Sequence, residues 1–151
     1  MRAGARIFLV VLLGVWAGIV IGVSLISTPV KFQAPLLTVE AGLDVGRYTF
    51  RLLSEIELGL AASAVAAAML ARPRLLVIGA LVLVIAAVLV QHYWLLSVLD
   101  ARVVRILAGE SVPASSYHTL FAAIEVTKSL LLIAAAALES RHSLSRPAPH
   151  G

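Results

Sequence analysis

The chain has 151 residues, enough for one domain, and 61% of them are hydrophobic while only 13% are charged; so few polar side chains cannot cover a soluble protein. The formal charge of +4 does not indicate nucleic acid, because the arginines stand mainly at the ends of apolar runs, where they anchor helices against anionic headgroups. Cysteine is absent, which excludes disulfides, thiolate metal sites and a cysteine nucleophile.

The first apolar run, residues 7–26, is about 30 Å long as a helix, the thickness of a bilayer's hydrocarbon core. A secretory signal has a shorter apolar region and a small-x-small cleavage site. Neither limit fits, so an uncleaved first span is expected. Within it Gly14, Gly18 and Gly22 recur at i, i+4 and i+8, which leaves a groove where a second helix backbone can approach closely. After it, Pro29 and Pro35 predict the end of the helix. Residues 36–46 read as an interfacial segment over the bundle mouth, with Asp44 capping the next helix.

The second helix is expected over residues 47–71, where Gly59, Ser63 and Ala67 repeat the small-residue spacing and form the natural mate for the Gly14/Gly18/Gly22 groove. Arg72-Pro73-Arg74 is a turn. A third run, residues 75–99, is long enough to span with tilt, carries Tyr93 and Trp94 as an interfacial belt, and can extend amphipathically to a stop at Gly109. The fourth helix is expected over 117–138. Residues 1–139 then form an all-α, four-transmembrane-helix bundle, and 140–151 a disordered cytoplasmic tail.

Four spans put both termini and the Arg72/Arg74 turn on one side. That side carries Arg2, Arg6, Arg72, Arg74, Arg141 and Arg146, against Lys31, Arg47, Arg51, Arg102 and Arg105 on the other. The positive-inside rule then predicts a multi-pass protein of the cell (inner) membrane with cytoplasmic termini.

Ionisable groups at membrane depth face the bundle and find partners. Arg47, Arg51 and Glu55 share one face of the second helix; on the fourth, His118, Glu125 and Ser129 share a stripe, with Lys128 one turn beyond Glu125. With His92 at a similar depth, the expected buried polar site is Arg47, Arg51, Glu55, His92, Glu125 and Lys128. Glu57 lies about 200° round the helix from Glu55, so it is assigned to a neighbouring helix or the headgroups. The competing expectation is that Arg51 pairs with Glu55, and Glu125 with Lys128, only to neutralise buried charge.

His92 and His118 invite a haem between helices, but their depths differ by about 8 Å. No cofactor and no metal is expected. Nor is an enzyme, as no Ser–His–acid grouping and no H-E-x-x-H appears.

The stretches Gly14-Val15-Trp16-Ala17-Gly18, Thr28-Pro29-Val30-Lys31-Phe32 and Tyr117-His118-Thr119-Leu120-Phe121 together resemble a group of small four-helix bacterial membrane proteins related to the transmembrane-protein-205-like domain. The resemblance covers residues 7–138 and implies the four-span architecture; it brings no reaction. The first expectation for function is therefore a non-enzymatic membrane protein that binds a partner protein or lipid through residues 29–46 and the arginine-lined outer mouth. Membrane lipid, a second copy or a membrane protein are the expected partners, and nucleic acid is not. The alternative is a small proton-coupled carrier working through the buried charges, and haem-dependent electron transfer comes last. A water-lined cavity reaching the buried carboxylates would favour transport, and dry, mutually paired charges the binding role.

Overall fold

A computed structural model of the protein describes residues 2–144. Four helices account for almost all of them: α1 Arg2–Lys31, α2 Val39–Ala71, α3 Leu75–Leu107 and α4 Tyr117–Leu144. Each is long and apolar enough to cross a membrane, and the described residues contain no strand. The fold is an all-α four-helix bundle. α1 packs between α2 and α4, and α3 closes the ring against the same two helices. The diagonal partners meet mainly through side chains.

The core is built from Leu9, Leu13, Trp16 and Val20 of α1, Ala61, Ala64 and Ala71 of α2, Val77, Val84 and Val88 of α3, and Leu132 and Ala135 of α4. Alanines on α2 let the bulky face of α1 lie close, the packing logic of membrane bundles. The outward faces are as apolar as the core: Val11, Val15, Leu76, Val82 and Leu130 are all exposed. A soluble bundle would be polar there, and this is the pattern of helices that face lipid.

That choice of inward face corrects the expected packing of α1 on α2. Gly14 and Gly18 are exposed, Gly22 is only partly covered, and the expected mates Gly59 and Ser63 are also exposed. A Cβ built on Gly14, Gly18, Gly22 or Gly59 meets nothing within 4 Å, and the Ser63 hydroxyl donates to the Gly59 carbonyl of its own helix. Burying Trp16, Leu9 and Leu13 removes far more surface than a glycine groove can, and the large side chains therefore set the rotation of α1. Gly14→Ala and Gly18→Ala are accordingly expected to leave the monomer intact or to raise its stability by up to about 1 kcal/mol each through helix propensity. Thermal unfolding in detergent checks this. A loss of stability would mean that a second chain occupies the face.

The helix ends also differ from expectation. α1 does not stop before Pro29 but widens into a π-helical segment, Ile21–Ser27, and then continues through Pro29 to Lys31. A proline lacks the N–H and crowds the carbonyl one turn back; a π turn ahead of it relieves both. The Thr28 hydroxyl donates to the Val23 carbonyl, which supports the wide turn. α2 starts at Val39, inside the segment expected to be interfacial, because Thr38 caps it by accepting from the Ala41 amide. Asp44 consequently stands within α2, where it accepts from Arg47 at 3.2 Å instead of capping. Gly42 is tolerated in that helix for a packing reason: a Cβ there would lie 2.4 Å from the Phe32 ring. α3 carries a second π segment, Gln91–Leu95, and runs on to Leu107. α4 continues past residue 139 to Leu144, so the first residues of the expected tail are helical, while 145–151 lie outside the described residues.

Candidate functional site: a buried charge network and a basic cavity

On α2 the buried face runs through Ser54, Glu57, Ala61 and Ala64, a three- and four-residue spacing that places one carboxylate on an otherwise small-residue stripe. Glu57 is thus aimed at the bundle axis. Across the axis, Lys128 of α4 is 1% exposed, and its Nζ donates to both carboxylate oxygens of Glu57 at 2.7 Å. The same ammonium lies 2.7 Å from Oε1 of Glu125, one turn back on α4.

The other two helices complete the set. Trp16 Nε1 of α1 donates to Glu57 Oε1 at 3.0 Å. Gln91 Nε2 of α3 donates to Glu125 Oε1 at 2.8 Å, and the Ser24 hydroxyl of α1 donates to Glu125 Oε2 at 2.5 Å. Both Ser24 and Gln91 lie in the π segments, whose extra residue per turn re-aims side chains inward. One network therefore ties all four helices together. It is dry and mutually paired, since Glu57, Gln91, Glu125 and Lys128 are all buried.

Of the residues expected in one buried site, the structure joins Glu125 to Lys128 in the buried network and gathers Arg47, Arg51, Glu55 and His92 in a separate group round Asp100. Glu55 is exposed, and Glu57, which had been assigned away from the site, takes its place. Arg51 pairs not with Glu55 but with Asp100 of α3, at 2.8 Å, and its side chain is 61% exposed. Arg47 belongs to the same surface cluster, 3.2 Å from Asp44 and 3.8 Å from Asp100. The stripe Arg47, Arg51, Glu55 faces the rim, where Asp100 pairs with both arginines and Glu55 is exposed. His92 is half-buried, with its Nδ1 2.8 Å from the Ser54 hydroxyl. It borders a groove of about 410 Å³ with Arg51, Glu55 and Asp100, whereas His118 faces a different cavity. The two histidines do not face each other across one pocket. A second pair, half-buried Arg6 with buried Glu139 at 3.4 Å, closes the end of the bundle near the termini; no local spacing signals it, because the two residues lie at opposite ends of the chain.

The end of the bundle where α1 meets α2 and α3 meets α4 holds a cavity of about 90 Å³. Its wall is apolar and aromatic, from Phe32, Phe50, Leu96, Leu99, Val103 and Phe121, and Phe50 stacks edge-on against Phe121 with centroids 5.0 Å apart. Its polar lining is Thr28, Lys31, Arg47, Asp100 and His118. Lys31 stands 5.0 Å from the Phe32 ring centroid, a cation–π contact. The Arg47 Nε is buried with no hydrogen-bond acceptor. A buried guanidinium N–H left without an acceptor is costly, and Asp100 Oδ1, 3.8 Å from this Nε, balances its charge but lies beyond hydrogen-bond reach. Phe121 and Glu125 are one turn apart on α4, which sets the cavity directly against the charge network.

No family model matches the chain, and neither a curated protein nor a solved structure matches it.

Proposed function

We propose that this is a non-enzymatic multi-pass membrane protein that binds an anionic lipid in the cavity at its mouth, with both termini on the cytoplasmic side and the mouth facing outward. The observation that carries the reading is the buried Arg47 Nε without a hydrogen-bond acceptor in a cavity that Lys31 also lines, with Asp100 as its one carboxylate and Phe32, Phe50 and Phe121 in its wall. A lipid phosphate supplies the missing acceptor; the cavity of about 90 Å³ admits only the anionic group, and the acyl chains stay outside it in the bilayer. The buried, mutually paired charges beneath, Lys128 with Glu57 and Glu125, favour binding over transport. Kinship with the transmembrane-protein-205-like proteins is part of the same proposal, and it rests on the Gly14–Gly18, Thr28–Phe32 and Tyr117–Phe121 stretches.

Native mass spectrometry of the protein released from mixed vesicles of phosphatidylglycerol and phosphatidylcholine tests this. The wild type is expected to retain phosphatidylglycerol preferentially. Lys31→Gln, which removes one charge-assisted hydrogen bond to phosphate, is expected to lower that retention about tenfold or more. Equal retention of the two lipids, or an unchanged profile in Lys31→Gln, would overturn the reading.

A further inference from the structure

The charge network has two carboxylates and a single ammonium, and its other donors, the Trp16 indole, the Gln91 amide and the Ser24 hydroxyl, are neutral. With both carboxylates ionised, one negative charge would remain uncompensated, although Glu57, Glu125 and Lys128 are each no more than 3% exposed. Isolated charge at that depth is relieved by taking up a proton or a counter-ion.

The surrounding elements supply no further cation. α1 has no charged residue between Arg6 and Lys31. α2 contributes Glu57 itself. α3 contributes Gln91 and, next to it, His92, whose Nδ1 is engaged with Ser54. α4 contributes Lys128, already shared between the two carboxylates.

The hydrogen-bond chemistry then singles out one oxygen. Glu57 Oε1 receives from Trp16 and Lys128, Glu57 Oε2 from Lys128, and Glu125 Oε1 from Lys128 and Gln91. Those partners are N–H groups, which can only donate. Glu125 Oε2 has a different partner, the Ser24 hydroxyl at 2.5 Å, and a hydroxyl can accept as well as donate. A proton on Glu125 Oε2 needs no movement of heavy atoms: the hydrogen bond reverses, and the carboxyl donates to Ser24. The separation is that of a strong O–H···O bond in either direction.

We propose that Glu125 is a proton-binding site, holding one proton on Oε2 against Ser24 at neutral pH so that the network is electrically neutral as Lys128 paired with Glu57. This goes beyond the lipid-binding reading and does not depend on it. Ser24, the partner of Glu125 Oε2, is itself only partly buried, so exchange is expected through its side of the network. The reaction is a simple association: the proton arrives from water through that route, and no bond to carbon forms or breaks.

Infrared spectroscopy of the full chain in phosphatidylcholine nanodiscs at neutral pH, in sodium-containing and sodium-free buffer, tests the proposal. The wild type is expected to show a protonated-carboxyl C=O band in both buffers, and Glu125→Gln to lose it. Glu125→Gln also reproduces the shape of the protonated acid, with its amide N–H directed to Ser24, so it is expected to fold. Should it fail to fold, Ser24→Ala decides alone. That variant is expected to shift the band, because the hydrogen-bond acceptor is gone, whereas a band from Glu57 or Glu139 would stay in place. No band in the wild type, or a band unmoved by both substitutions, would overturn the proposal. A band seen only without sodium would overturn it in favour of a monovalent cation as the neutralising charge.

Discussion

Lys128→Gln is expected to lower the unfolding free energy by about 3–5 kcal/mol, the cost of removing one partner from a buried ion pair. Lys128 is 1% exposed, and it spans the bundle axis to reach Glu57 on the diagonal helix. Without its ammonium, Glu57 keeps only the Trp16 N–H as a strong donor, and its charge sits in the bundle with nothing to balance it. The double change Lys128→Met with Glu57→Leu removes both charges and refills the volume, and it is expected to recover most of the loss. Denaturant titration of the purified protein in mixed micelles measures both. If Lys128→Gln unfolds at the wild-type midpoint, the ammonium must reach water in a way its burial excludes.

Trp16→Ala is expected to cost a similar amount, about 3–5 kcal/mol, for a different reason. Trp16 is 0% exposed at the centre of the α1 face that sets the helix rotation. Truncation opens a cavity between α1, α2 and α4 and also takes the indole N–H from Glu57. Trp16→Phe separates the two effects. It keeps most of the ring and leaves Glu57 one donor short, so it is expected to cost about 1–3 kcal/mol. The same micelle titration reads both variants. Equal losses for Phe and Ala would put the whole effect on the hydrogen bond, and no loss for Phe would put it on packing.

The electrostatic and packing roles meet at Glu57, and this residue is where reading the chain residue by residue fell short. The stripe Arg47, Arg51, Glu55 is regular and charged, and it drew the site to one face of α2. The competing stripe Ser54, Glu57, Ala61, Ala64 is equally regular but carries a single charge among small residues. That pattern is the better mark of a buried face in a membrane bundle, since small residues lie where helices touch. The partnership of Glu125 with Lys128 was legible because it is local, three residues apart on one helix. Arg51 with Asp100, and Glu57 with Lys128, are contacts between helices far apart in the chain. No local spacing encodes them.

The π segments were hidden for a related reason. Pro29 signals trouble for a regular helix, but whether the chain stops or widens there depends on what the next turn can pack against. Phe32 against Gly42 and Lys31 beside Gly46 reward continuing. Gln91–Leu95 has no proline to announce it at all.

The sequence by itself determined the all-α class and the number of long apolar helices, because apolar length and the absence of charge are local properties. Only the tertiary structure decided which face of each helix turns inward. In lipid both faces are apolar, so hydrophobicity gives no preference, and rotation is left to shape and to the pairing of a few polar groups. Trp16 won over the glycine stripe by shape. Glu57, Glu125 and Lys128 found one another by charge, across a bundle axis that the linear order of residues does not contain.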